Sequence, residues 1–150
     1  MSAEAAIVDR WVDRTLKSYP SEMHSFLGGE QDPFRNPVGN TLRENLAVLV
    51  HELLGTMDKQ KIAGALDELV RMRAVQNFTP AEALRFVFDL RPLISEGAGA
   101  VSVPLQSRID ELALMAFDQY MSCRERIFEL RINELRLWAR SAAAGEGGTP

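Results

Sequence analysis

The longest uninterrupted segment of the sequence runs from residue 104 to residue 140 and contains no glycine or proline after Pro104. Apolar side chains recur along it at spacings of three and four, as on one buried face of a helix. They are Leu105, Ile109, Leu112, Ala116, Tyr120, Cys123, Ile127 and Leu130. At 1.5 Å per residue this helix is on the order of 50 Å long, which exceeds the width of a domain of this size. We therefore expect its end to project.

Most of the rest of the chain is also predicted to be helical, because its apolar residues follow the same spacing and no stretch reads as a strand. The exception is residues 31–44, where two prolines, a glycine and two asparagines predict an irregular segment. Proline and glycine set the expected ends. The first helix should stop before Pro20, and a later one at Gly55. The next should begin near Asp58, and a further boundary is expected at Pro92. The sequence thus predicts an all-α fold with a flexible connection over residues 95–104.

Length and charge limit the function classes. The 150 residues suit a single domain, which we expect over residues 1–140, with a flexible tail over 141–150. A net charge of −4 argues against nucleic-acid binding. Cys123 is the only cysteine, so neither an internal disulfide nor a cysteine zinc site can form. The sequence contains neither a signal peptide nor an apolar run of about 20 residues, so we expect a cytoplasmic protein without membrane insertion.

The stretch RAVQNFTPAEAL at residues 73–84 predicts a tight corner between two helices. Thr79 stands at an N-cap position, Pro80 at the first helical position, and Glu82 three residues after the threonine. This is a capping box reinforced by proline. Phe78 precedes the cap and can pack onto residue 83 or 84 as a hydrophobic staple.

No enzyme motif is complete. His51 and Glu52 begin like a metalloprotease HExxH motif, but Gly55 occupies the position of the second histidine. We therefore expect no catalytic residue, no metal and no cofactor. One alternative stays open, because a single histidine in an all-α domain can ligate haem, and His51 is the candidate. The competing interpretation is a histidine that serves only in packing.

Two arginines flank Met72 at the end of the predicted fourth helix. Arg71 and Arg73 have an ordinary role there, which is to complement the negative end of the helix dipole. Their functional alternative is to hold an anion or carboxylate in a cleft together with Gln76.

The end of the long helix has the composition of a contact surface. The stretch CRERIFELRINELRLWAR mixes apolar side chains with charges at i,i+3 spacing, which is typical of a helix that packs on another helix or subunit. The competing interpretation is that it folds back on its own domain. We expect the dimer or coupling contact to use Tyr120, Ile127, Leu130, Ile132, Leu135 and Trp138.

Three stretches together resemble a known family. They are DPFRNPVG at 32–39, LDELVRMRAVQNFTPAEALRFVFDLRPLI at 66–94 and YMSCRERIFELRINELR at 120–136. In this order and spacing they are similar to the N-terminal domain of the RsbRD-type RsbT co-antagonists, which are related to stressosome components. The resemblance covers roughly residues 9–138.

The resemblance implies a globin-like bundle of about six helices that typically lacks haem, dimerises, and leads through its last helix to a STAS output domain. The 150 residues leave no room for a STAS domain, so we expect either a regulatory module that acts in trans on a protein partner or a piece of a longer protein. The matched clusters give candidate contact residues for a partner or ligand. They are Asp32, Phe34, Asn36, Gly39, Arg71, Arg73, Gln76 and Phe78.

The function expected from this resemblance is a non-enzymatic regulatory or sensory module of the stress-response type. It would signal by protein–protein interaction through the long helix, as a homodimer. Two alternatives remain at this stage. One is a haem or small-ligand sensor that uses His51, and the other is an accessory protein of a dissimilatory sulfur-metabolism complex.

Overall fold

The computed structural model describes residues 2–19, 37–75 and 78–146, which form α-helices and connecting turns without a strand. The described helices are α1 (Ala3–Leu16), α2 (Pro37–Leu54), α3 (Lys59–Val75), α4 (Pro80–Phe88), α5 (Leu90–Ala98) and α6 (Val103–Glu146). The predicted all-α bundle with a long C-terminal helix is confirmed.

Helix α3 lies at the centre of the bundle and packs against both α2 and α6. Helix α1 crosses α2 and α5, while α4 packs along α6. One buried core joins these helices, and Trp11 of α1 is completely covered in it. The indole Nε1 of Trp11 donates a hydrogen bond to the carbonyl oxygen of Phe86 at 2.7 Å, which ties α1 to α4. No helix in the described ranges is long and apolar enough to cross a membrane.

Three helix ends differ from the expectation, and in each case a proline lies in the first turn. Helix α2 begins at Pro37, although the surrounding glycine and asparagines predict an irregular segment. Helix α5 runs through Pro92, and α6 includes Pro104. The first four N–H groups of a helix have no partner within it, so proline costs little there. Helix α6 then continues to Glu146, six residues beyond the predicted end of the domain at residue 140.

Glu52 organises the turn between α2 and α3. Its side chain is covered, and Oε1 accepts hydrogen bonds from the backbone N–H of Asp58 at 3.0 Å and the Thr56 hydroxyl at 3.1 Å. The bond from Asp58 is the main cause that lowers the pKa of Glu52, and desolvation opposes it. Gly55 is needed in this turn, because a Cβ there would lie 2.9 Å from the carbonyl oxygen of His51.

The corner before α4 contains the predicted capping box. The Thr79 hydroxyl accepts a hydrogen bond from the backbone N–H of Glu82 at 3.2 Å, and Pro80 occupies the first turn. The Thr79 hydroxyl also donates to the Glu82 carboxylate at 3.1 Å. The contact of Phe78 differs from the staple predicted with residue 83 or 84. Its ring packs edge-to-face on Tyr19, with ring centroids 5.6 Å apart.

Arg73 fills the space behind this corner and is 1% exposed. Its Nε donates to the carbonyl oxygen of Ala83 at 2.8 Å, and its Nη2 donates to that of Glu82 at 2.8 Å. Nη2 also donates to the Ser18 hydroxyl at 3.1 Å. The side chain therefore connects the end of α3 with the first turns of α4 and with the turn after α1.

Three aromatic rings surround the same guanidinium. Its carbon lies 4.7 Å from the ring centroid of Phe78, 5.2 Å from that of Tyr19 and 5.5 Å from that of Phe86. Burial lowers the pKa of Arg73, while the attraction and hydrogen bonding of Tyr19 oppose that effect. Arginine starts from so high a pKa that the group stays charged at neutral pH. The carbonyl oxygens and the ring faces thus stabilise a buried cation.

We expect Arg73→Met to lower the free energy of unfolding by about 2–3 kcal/mol, because it removes the three hydrogen bonds that the charged guanidinium donates. Urea unfolding followed by circular dichroism measures the change. Arg71→Met is the matched control on the same helix. Arg71 is exposed and pairs with Asp67, so its loss should cost much less than the loss of Arg73. Equal losses in the two variants would contradict the role assigned to Arg73.

We expect Glu52→Gln to destabilise the protein at pH 6 more than at pH 3.5. The folded-state pKa of Glu52 is lowered from its ordinary value of 4.5, so its contribution is present above pH 4.5. That contribution disappears as the pH falls through the lower folded-state pKa. Thermal unfolding of both proteins at the two pH values tests this, with Glu44→Gln on the same helix as an exposed control. A stability difference that is independent of pH would refute it.

Candidate interaction surface

Of the eight contact residues predicted from the resemblance, the four that the structure describes do not form one exposed cluster. Asp32, Phe34, Asn36 and Gln76 lie outside the described residues. Gly39 is buried in the first turn of α2. Arg71 is on the surface in an ion pair with Asp67, whereas Arg73 and the half-buried Phe78 pack inside the corner. In this arrangement Arg73 donates to backbone carbonyl oxygens rather than facing a cleft.

His51 lies on the outer surface of α2, where its side chain is 72% exposed. Its Nδ1 is 3.0 Å from a carboxylate oxygen of Glu4 on α1. The ring therefore faces solvent and an acidic neighbour instead of the apolar core. Within the described ranges no three histidine, cysteine or acidic side chains come together as metal ligands.

The predicted core face of α6 is confirmed along the part of the helix that lies on the domain. Ile109, Leu112, Ala116 and Tyr120 are buried, and Ile127 is half-buried against the same core. Tyr120 is 2% exposed and therefore packs inside its own domain. From residue 128 to residue 145 every side chain is exposed except the half-buried Ile132. This part of α6 projects from the bundle.

A second apolar row follows the outward side of α6, and we call it the outer stripe. Its side chains are 40–79% exposed and recur at spacings of seven, with further members three residues after the first and the last. In heptad notation they occupy a and d positions. The outer stripe consists of Leu114, Phe117, Met121, Phe128, Leu135 and Trp138.

The outer stripe begins inside an apolar groove between α4 and α6, which we call the α4–α6 groove. Its volume is about 740 Å³. Leu84 and Phe88 line it from α4, and Leu114 and Phe117 line it from α6. Arg91 and Asp110 form an ion pair at the same edge of the bundle. The domain surface and the projecting end of α6 thus share one continuous apolar row.

Charges are distributed unequally along α6. Residues 103–123 contain one arginine and three acidic residues, for a net charge of −2. Residues 124–140 contain five arginines and three glutamates, for a net charge of +2. The acidic residues 103–123 lie on the domain, whereas the basic stretch begins there and continues into the projecting part, where residues 128–140 contain three arginines and two glutamates.

Only Leu135 and Trp138 of the outer stripe were predicted from the sequence as contact residues. The signal for the others was present, since Leu114, Met121, Phe128 and Leu135 are seven residues apart. It was hidden because the core face of α6 has a similar spacing and overlaps it along the chain. The α4–α6 groove had no comparable signal, because it depends on how α4 packs on α6.

Comparison with known proteins gives a family match over most of the chain. Residues 5–135 match the family described as the RsbT co-antagonist protein rsbRD N-terminal domain. An uncharacterised protein of Archaeoglobus fulgidus is 29% identical over 138 residues, covering 85% of this chain and 82% of the relative. No solved structure matches. The matched residues include the Arg73 corner, the α4–α6 groove and α6 as far as Leu135. The chain belongs to the family of RsbT co-antagonist rsbRD N-terminal domains.

Proposed function

We propose that the chain is a non-enzymatic regulatory module of the stressosome type, which forms a homodimer through the outer stripe of α6 and acts on a protein partner in trans. Membership of a family of regulatory domains supports the general class. The observation that carries the specific proposal is the outer stripe. Six large exposed apolar side chains stand in one row on α6, and two of them lie in a groove of the domain.

An exposed row of this size favours a contact with another helix. Each fully buried large apolar side chain contributes about 1.5–3 kcal/mol, so most of that stabilisation is lost while the row faces water. A spacing of seven keeps the row facing one partner as two helices wind around each other. The projecting part of α6 adds about 28 Å of helix, and its side chains from residue 128 to residue 145 are exposed except for the half-buried Ile132.

The same helix supplies the route for a signal. Ile109 and Leu112 of α6 are completely buried in the domain core, while the outer stripe faces away from that core. A change in core packing that moves α6 therefore also moves the contact surface. In this mechanism a bound ligand or partner changes the position of α6, and the dimer partner or a further protein responds.

The alternative of a haem sensor gains no support from the position of His51, whose side chain faces solvent and Glu4. The alternative of an accessory protein in sulfur metabolism has no residue-level support in the described part of the chain. The regulatory module is therefore the function that the geometry favours.

We expect Phe117→Glu combined with Leu135→Glu to convert the dimer into a monomer, because it places carboxylates in two apolar layers of the contact. Native mass spectrometry and sedimentation velocity measure the subunit count. The matched control is Leu130→Glu combined with Leu137→Glu. These leucines are similarly exposed but lie on nearly the opposite side of α6, so this variant should remain dimeric.

Circular dichroism of both variants checks that α6 stays helical. A dimer that survives the first pair of substitutions but not the second would place the contact on the face that includes Leu130. A wild-type chain that is monomeric at micromolar concentration would overturn the dimer itself.

A further inference from the structure

We propose that the two copies of α6 pair antiparallel, so that Leu135 and Trp138 of each copy enter the α4–α6 groove of the other. This inference rests on the dimer of the proposed function and adds its direction and the occupant of the groove. The two-fold axis would pass close to Arg126, and each dimer would contain two identical filled grooves.

The d positions of the stripe argue against a parallel pair. In heptad notation they hold Phe117, Arg124, Arg131 and Trp138 in succession. In a parallel pair each d residue faces its own copy, so two consecutive layers would bring arginine against arginine. Arg124 is also held in place, since its Nη1 donates to the carbonyl oxygen of Ala74 at 3.2 Å. Like charges at such close positions disfavour the parallel arrangement.

An antiparallel pair removes this conflict, because each d residue then lies level with an a residue of the other helix. In the proposed register Arg131 faces Met121, and Arg124 faces Phe128. The second of these pairings places a guanidinium beside an aromatic ring, which is a favourable contact. No arginine faces another arginine in these layers.

The groove determines the register. Several antiparallel registers pair a with d positions, and they differ by steps of seven residues. In one of them Trp138 is level with Leu114 and Leu135 is level with Phe117, and these partners line the α4–α6 groove. Trp138 and Leu135 are the most exposed members of the outer stripe, at 79% and 69%. A tryptophan buries 150–250 Å² when enclosed, so this register covers the largest apolar surface.

Distances between spin labels on two copies distinguish the arrangements. Arg126 and Arg140 are exposed and lie off the outer stripe, at equivalent heptad positions. Single cysteines at each position, in a chain carrying Cys123→Ala, are labelled with a nitroxide and measured by double electron–electron resonance. In the antiparallel register the two Arg126→Cys labels lie at the same level, whereas the two Arg140→Cys labels are about 42 Å apart along the axis.

The expected result is a short distance for Arg126→Cys and a distance longer by at least about 20 Å for Arg140→Cys. Similar short distances at both positions would indicate a parallel pair and overturn this inference, while leaving the proposed dimer intact. If native mass spectrometry finds only monomers, both for the labelled proteins and for the unlabelled wild-type chain, the dimer of the proposed function fails as well. Circular dichroism controls for helix content in each variant.

A second measurement tests the occupant of the groove. In an antiparallel pair, Trp138 fluorescence should respond to Leu84→Ser on α4, since the groove of the other copy encloses the indole. We expect the emission maximum of Trp138 to shift to longer wavelength and acrylamide to quench its fluorescence more strongly. Both are measured in a Trp11→Phe chain, in which Trp138 is the only tryptophan. Unchanged quenching in a protein that remains dimeric would exclude the groove as the binding place of Trp138.

Discussion

The buried guanidinium of Arg73 is the interaction on which the arrangement of the other helices depends. It lies at the end of α3, the central helix, and it donates to the first carbonyl groups of α4 and to Ser18 after α1. A buried cation is unfavourable unless the protein supplies hydrogen-bond acceptors and favourable surroundings for it. Here backbone oxygens and three aromatic rings supply them, and this fixes the angle at which α4 leaves the corner. The position of α4 in turn forms one wall of the α4–α6 groove.

Much of the fold could be predicted from local rules. The length of α6 follows from an uninterrupted apolar spacing, and the start of α4 from Thr79, Pro80 and Glu82 acting on neighbouring amides. Local rules failed where the same residue could either mark the end of one helix or lie in the first turn of the next. Pro92 predicts a boundary, yet it lies in the first turn of α5, where no intrahelical hydrogen bond is lost. The spacing of apolar residues alone could not show which turn of the helix contains the proline.

The candidate site was harder to predict from the sequence, because it depends on how the helices pack against each other. Arg73 and Arg71 are two residues apart, and both are candidates for capping the end of α3. One points to solvent and the other to the core, and only the packing of Tyr19, Phe78 and Phe86 decides between them. Likewise, α6 has two apolar rows, one with the period of a straight helix and one with the heptad period of a helix pair. Tyr120 and Ile127 were assigned to a partner because the sequence alone does not show which of the two rows the domain covers.

The projecting half of α6 also has a mechanical consequence. The helix packs in the core as far as Ile127 and continues for about 28 Å with mostly exposed side chains in the described part of the chain. It therefore behaves as a lever arm whose pivot is the core. A tilt of about 5° at the pivot, a small adjustment of side-chain packing, moves the far end by roughly 2.4 Å. That displacement is comparable to half a helical turn, so a subtle rearrangement inside the domain becomes a change of contact at a distance.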